Sequence, residues 1–488
     1  MSSNKLYDAI TDIRDDLIDQ AASPDSVRKK HHRIRWISLT AAALCASILL
    51  GIFLWPAPIA TSAYAIAEAS YPEMAQYPNE MDYYNVLNTD FDYQAYQEQF
   101  DAWREDKEAL AQPAGYADGL ESFITASSVQ FLSGTDDQNR VYSPINIYMA
   151  LGILAEITDG NSRQQILNLL GSSDIDSLRR QAKAVWKANY SDDGLLTCLL
   201  ASSLWLNEDF DFNRDTLQSL TDIYYASSYQ GAMGSDEFNQ ALHNWLNEQT
   251  GDLLKEQVSD VKLDTQTILA LATTINYKAS WHDEFDQSAN TVEAFHSPNE
   301  DQDCTYMHQT SLRSFYQGDH FSAVSQDLEG SGSMLFILPE EGTAPEDLLT
   351  DPQLQDFILS GDDWPQSQQA TVHFSVPKFD IQSNINLIEG LQQLGITDVF
   401  DSSFSDFSPI LPESDGVVLS QATHGTRVFI DEEGCFAAAF TVMADVADAE
   451  AALKEIHFTL DRPFLFVTTS SDGLPLFIGI VNQPAVSQ

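Results

Sequence analysis

Hydrophobic and polar positions follow three regimes along this chain. Leu6, Ile10, Ile13 and Leu17 recur at helical spacing, with Asp8, Asp12, Asp15, Asp16 and Asp19 on the other positions, and predict a short amphipathic helix. Trp36 to Trp55 then runs for 20 residues without a charge. At about 1.5 Å rise per residue a helix of that length covers about 30 Å, the thickness of a bilayer's hydrocarbon layer. From about Tyr116 to the C-terminus, helix and strand signals alternate with no linker-like break, which predicts one large mixed α/β domain. Within it Leu151 to Gly171 reads as a helix, and Leu387 to Leu394 as another stopped by Gly395. Leu196 to Leu206, Thr267 to Tyr277, Ser333 to Pro339, Thr371 to Phe379, Gly425 to Ile430, His457 to Phe466 and Leu476 to Val481 read as strands, so a large sheet is expected in the second half.

The flanks of the apolar run give it a direction. Arg28, Lys29, Lys30, Arg33 and Arg35 stand just before it and a tryptophan closes each end, the pattern of a membrane span with its N-terminus in the cytoplasm. A cleaved signal peptide is the rival reading, since Ala63-Tyr64-Ala65 suits a signal peptidase and would release a secreted protein near Ala65. The 35-residue leader before the run and the run's length favour an uncleaved signal anchor. The chain therefore divides into a cytoplasmic tail (1–35), a transmembrane helix (36–55), an acidic, Tyr-rich extracellular stalk (56–115) with a helix over Tyr93 to Leu110, and a domain at 116–488.

Charge sharpens this division. The 488 residues carry 24 Lys and Arg against 73 Asp and Glu, a net −49, yet residues 1–35 are +1 and everything after the span is −50. A surface this acidic repels phosphate backbones, which excludes nucleic acid as a partner. Cys45, Cys198, Cys304 and Cys435 form neither a CxxC pair nor a Cys/His cluster, so no metal site is expected. The sequence holds no Gly-x-Ser-x-Gly elbow, no His-Glu-x-x-His and no phosphate-cradling loop, so no catalytic residue can be nominated and no cofactor is expected.

One segment departs from this inventory. Asp431-Glu432-Glu433-Gly434-Cys435-Phe436-Ala437-Ala438-Ala439-Phe440-Thr441 follows a strand, opens with acids and a glycine, and continues in small residues before an Ala-rich stretch to about Glu455. It resembles the reactive-loop hinge of the serpin family. Further serpin-like signatures follow in the family's order: Asn139 with Ser143-Pro144, Asn244 with Thr250, Trp281 with Phe285, Met334 to Pro339, Pro377-Lys378-Phe379, His424, Arg462 to Phe466, and Phe477 with Gly479 and Pro484. The resemblance covers about residue 116 to the C-terminus. It implies a membrane-anchored, bacterial-type serpin with a large central sheet, further sheets, eight or nine helices and an exposed reactive loop at about 432–455. It also implies a suicide-substrate inhibitor whose cleaved loop inserts into the central sheet and holds a serine, or a cysteine, protease as acyl-enzyme. The alternative is a non-inhibitory binding or scaffold protein of the same fold.

The hinge sequence is compatible with insertion on strand geometry alone. Side chains alternate faces along a strand, so Cys435, Ala437, Ala439 and Thr441, all small, would face the core, while Phe436, Ala438 and Phe440 would face outward. Glu432 and Gly434 precede them. The resemblance places Ser143, Asn146, Thr273 and His424 under the opening sheet and Trp281 at its top; Asn146 and Thr273 stand where the family usually has serine and asparagine, and Cys435 where it has threonine. A disulfide from Cys435 to Cys198 or Cys304 would lock the hinge and is not expected. Counting along the loop from the hinge puts the scissile bond at Asp448-Ala449; counting back from Pro463 puts it after Ala452. Asp448 as bait calls for an acid-specific protease, and cleavage after one of the alanines for an elastase-like one. A monomer is expected, and the acidity argues against a polyanion cofactor.

Overall fold

The computed structural model describes residues 61–84, 90–134, 137–258, 261–360, 364–414, 416–435 and 454–484. The predicted tail helix, the 36–55 span, and hinge and loop positions 436–453 lie outside these residues. No described helix is long and apolar enough to cross a membrane.

In chain order the first elements are β1 (Ala65–Ala67), α1 (Tyr93–Leu110), α2 (Glu121–Leu132), β2 (Arg140–Tyr142), α3 (Pro144–Glu156), α4 (Gly160–Leu169) and α5 (Ile175–Asn189). Then come β3 (Ser191–Asp192), β4 (Leu196–Asn207), α6 (Arg214–Tyr224), β5 (Ala226–Gly231), α7 (Asp236–Gln249), α8 (Lys255–Val258) and β6 (Leu269–Ser280). The middle of the domain is β7 (Thr291–His296), β8 (Asp301–Gln317), β9 (Phe321–Asp327), β10 (Ser333–Pro339), α9 (Pro345–Leu348) and α10 (Pro352–Ser360). It closes with β11 (Ser367–Pro377), β12 (Phe379–Asn386), α11 (Leu387–Gln393), β13 (Thr423–Ile430), β14 (Gly434–Cys435), β15 (Glu455–Thr459), β16 (Phe464–Thr469) and β17 (Pro475–Val481). Two of these helices, α8 and α9, are single turns of four residues and add to nine longer ones.

The strands form two sheets. One has eight strands in the order β1-β5-β4-β6-β14-β13-β12, with β3 paired on β4. The other has nine, β15-β11-β8-β9-β10-β16-β17-β2, with β7 on β8. Every residue of β10 and of β17 is buried, so these strands read as continuous apolar runs rather than alternating ones. Local chemistry fixes the helix ends. Ser143 caps α3 by accepting the Asn146 N–H at 3.3 Å, and Pro144 sits at the first helical position, where its missing N–H costs nothing. Asp174 caps α5, whose Leu178, Ala182, Val185 and Trp186 make a buried stripe at helical spacing.

Three predicted elements are divided. The helix expected over 151–171 is the end of α3 plus α4, broken over Ile157 to Asp159, just before Gly160, which takes φ +58°. The strand expected over 371–379 splits at Lys378, and that over 457–466 at Asp461 to Pro463, where the proline cannot donate to a ladder.

The stretch read as a stalk is corrected further. Its described residues do not stand off; they strap onto the domain. β1 pairs antiparallel with β5, with a register shift between Ala65 and Ala67, and extends the eight-stranded sheet at that edge. Tyr71 stacks on Trp186, ring centroids 5.7 Å apart, and its hydroxyl is pushed up in pKa by burial. The buried Asp193 gathers the strap's second half: it accepts Trp103 Nε1–H at 2.9 Å, pairs with Lys107 Nζ at 3.1 Å, and takes the N–H groups of Leu195 and Leu196. An acid with no exposed side-chain surface survives because every lone pair is engaged. Composition alone marked this stretch as a spacer; Tyr64 on Phe238, Tyr71 on Trp186 and Trp103 on Asp193 are among its docking contacts.

Candidate functional site: the hinge and the strand gap

The site begins where β13 ends. Asp431 Oδ1 accepts the N–H groups of Glu433 at 3.0 Å and Gly434 at 3.2 Å, an Asx turn that reverses the chain. The next two residues return as β14. Cys435 pairs with Ile430 on one side and Ala279 on the other, and Gly434 with Ser280. Among the described residues β6 and β13 have no pairing of their own; only β14 joins them. The start of the hinge is therefore seated as a strand between β6 and β13.

Gly434 is required by this seat. A Cβ there would stand 2.3 Å from the Ala279 carbonyl oxygen, a backbone atom that cannot swing aside. Cys435 is fully buried, its thiol pushed up in pKa by burial and by the charge of Asp431. Cys198, Cys304 and Cys435 are all unpaired thiols.

A ring of contacts closes over the turn. Trp281, buried, donates its Nε1–H to the Asp431 carbonyl at 2.9 Å and its backbone N–H to that of Glu433 at 2.9 Å, while Phe285 N–H reaches Glu432 O at 3.0 Å. Lys378 Nζ meets Glu432 Oε1 at 2.6 Å, and Asn290 Nδ2 donates to the same oxygen. Burial pushes the Glu432 carboxyl up, but the hydrogen bonds from Lys378 and Asn290 outweigh it and hold the group below the usual carboxylate range. Neighbouring Glu284 moves the other way, raised by burial and by the charges of Glu433 and Asp431.

Below the seat lies a second cluster. Ser143 N–H donates to His424 Nε2 at 3.0 Å, and the Thr426 hydroxyl lies 2.8 Å from the same nitrogen. Burial lowers the His424 pKa to about 4, so the ring is neutral at pH 7 and its Nε2 accepts. Its Nδ1 and the Asn146 side-chain nitrogen are buried with no hydrogen-bond partner among the described residues. Thr273, on β6, does not join them: it pairs with Ser202 of β4 and lines an apolar groove with Trp205, Leu246, Leu254 and Gly425.

Of the residues singled out in the sequence, Glu432, Gly434, Cys435 and Trp281 come together at the turn, and Ser143, Asn146 and His424 under the sheet. Ala437, Ala438, Ala439, Thr441, Asp448 and Ala449 lie outside the described residues. Sequence reasoning missed Asn290, Asp431 as turn former and Thr426. Lys378 stood in the Pro377-Lys378-Phe379 motif without a role, and its signal was the one Lys or Arg in the expected 371–379 strand of a very acidic chain.

Comparison with known proteins agrees with this architecture. The family model for Serpin (serine protease inhibitor) matches residues 122–484. Serpin-ZX of Arabidopsis thaliana is 27% identical over 373 residues, covering 72% of this chain and 93% of its own. Alpha-1-antitrypsin 1-3 of Mus musculus is 27% identical over 383 residues, covering 75% and 89%. Among solved structures, the thermophilic serpin Tengpin in its native state superposes with a TM-score of 0.67 at 21% identity, covering 76% of this chain and 95% of that one, a likeness of fold. The chain thus belongs to the serpins, the serine protease inhibitor family, and is not an enzyme.

Proposed function

We propose that this serpin inhibits its target protease as a suicide substrate. The target's nucleophilic oxygen or sulfur attacks the carbonyl carbon of Asp448. The bond to the Ala449 nitrogen breaks, Ala449 leaves as a new amino terminus, and the protease remains as an ester or thioester on Asp448. Residues from Phe436 onward then follow Cys435 between β6 and β13, so that the loop enters as a full strand and carries the protease with it before water can deacylate it. The observation that supports this best is the seat itself: the gap already accepts Gly434 and Cys435 in strand register.

Asp448 as bait calls for a protease with a basic specificity pocket; cleavage after Ala447, Ala449, Ala451 or Ala452 calls for an elastase-like one. The inhibitor acts as a monomer on the outer side of a membrane, anchored by residues 36–55. Its negative charge speeds encounter with a basic protease, an effect that shrinks as salt rises.

The test is a denaturing gel against a panel of acid-specific and elastase-like proteases, with N-terminal sequencing of the released peptide. A denaturant-resistant complex at near-stoichiometric ratio is expected, with Ala449 as the new terminus. Ala439→Arg should abolish the complex and leave simple cleavage, because an inserted arginine on the core face would bury an unpaired charge. Cleavage of the unaltered protein with neither complex nor inhibition would refute the trap and favour a non-inhibitory binding protein.

A further inference from the structure

The solvent-facing side of the second sheet carries histidines that the inhibitory reading does not use. β15 pairs parallel with β11, and the register sets His457 opposite His373. Their rings stack at 4.4 Å between centroids and 12° between planes. On the far side of β11, Thr310 of β8 lies opposite His373, and its hydroxyl is 3.1 Å from His373 Nδ1. A proton on Nδ1 donated to that oxygen leaves Nε2 with its lone pair. His457 is exposed, and its side chain has no hydrogen bond among the described residues. One row along, His308 is already engaged: Nδ1 with Ser375 at 2.9 Å, Nε2 with the Thr291 hydroxyl at 2.6 Å and near Glu293 Oε1 at 3.4 Å.

We infer that His373 and His457 form a two-histidine site for a divalent transition-metal ion such as Zn2+, bridging β11 to β15. Two imidazole nitrogens at about 2.0–2.1 Å from one tetrahedral ion stand roughly 3.3 Å apart. The rings, stacked at 4.4 Å and 12°, would have to turn out of parallel so that their in-plane lone pairs converge on one ion. Among the described residues no three His, Cys, Asp or Glu side chains converge on one point, so water completes the coordination. The Thr310 hydroxyl does what outer partners of metal-binding histidines do, fixing tautomer and ring orientation. The net −49 of the chain concentrates cations around the molecule. The consequence is local: among the described residues β15 is the edge strand of its sheet and pairs with β11 alone, and it begins at Glu455, the C-terminal end of the reactive-loop segment. A bound ion would staple the loop's C-terminal anchor to the sheet.

The test uses the full chain, freed of metal with EDTA and titrated with ZnCl2 against a chromophoric chelator, with hydrogen exchange read over residues 455–459. Binding by the unaltered protein should slow exchange there. His373→Gln and His457→Gln, each removing one of the two ligands, should abolish that binding and the protection, while His308→Gln should leave both unchanged. Circular dichroism and melting without metal check that the variants fold, and His31 and His32, kept in all of them, contribute equally. Absence of Zn2+ binding by the unaltered protein, equal affinity in the His457→Gln variant, or loss in His308→Gln alone would overturn the assignment.

Discussion

Replacing His424 by Gln isolates one titration that the fold forces on the sheet. Gln keeps an oxygen near the place of Nε2, able to accept the Ser143 N–H, and removes the ionisable ring. In the native protein burial holds the imidazole at a pKa of about 4, against about 6.5 when unfolded. Between these values the unfolded chain binds a proton that the native state refuses, so stability falls as pH drops through that window and is untouched above pH 7. At about 1.4 kcal/mol per pKa unit the whole window is worth about 3 kcal/mol, of which about 2 is lost between pH 7 and 4.5. Carboxylates titrate in the same range, so the quantity to measure is a difference. Urea unfolding by tryptophan fluorescence, on unaltered protein and variant at both pH values, should show the unaltered protein losing about 2 kcal/mol more than His424→Gln. Equal losses would mean that His424 is not held neutral in the native state, and the account of the cluster with Ser143 and Thr426 would fall.

Two further substitutions probe the seat and the strap. Gly434→Val drives a side chain into the Ala279 carbonyl and should expel β14 from the gap, so that the Trp281 and Phe285 amides, bonded to Glu433 and Glu432, lose hydrogen-exchange protection; unchanged protection would show that the seat is not the glycine's doing. Asp193→Ala removes the acceptor shared by Trp103 and Lys107 and should cost about 3 kcal/mol, as breaking a buried charged pair does. The same variant should make residues 61–112 more sensitive to limited proteolysis, and an unaltered digestion pattern would count against the strap's dependence on that residue.

Much of the domain was legible because its signals are local. The apolar runs of Ser333 to Pro339 and Leu476 to Val481 and the Gly395 stop have only to be read along the chain, and the structure holds them as β10, β17 and the end of α11. The break over Ile157 to Asp159 was not legible, since the apolar residues on either side keep a helical rhythm; the extended Asp159 and the left-handed Gly160 interrupt it. The turn from Asp431 to Cys435 was singled out by its acids and its glycine. Its partners were not, because Lys378 and Asn290 lie 54 and 142 positions from Glu432 and nothing in their own neighbourhoods points to it. The strap was misread for a related reason: acidic, Tyr-rich composition describes both a solvated spacer and a segment that lays rings on helices α5 and α7, and contacts such as Tyr71 on Trp186, β1 on β5 and Trp103 on Asp193 separate them.

The short strand β1 bears on how such a sheet avoids its neighbours. A sheet with room for a further strand in its middle would also be open to another molecule along any long bare edge, the route by which strand-rich proteins polymerise. Here β5 is shielded over part of its length by three residues whose register slips between Ala65 and Ala67. An edge that is short and irregular makes a poor template for a second copy. The eight-stranded sheet thus seats β14, a strand of its own chain, between β6 and β13, and blunts at β1 the edge where a stranger's strand would add.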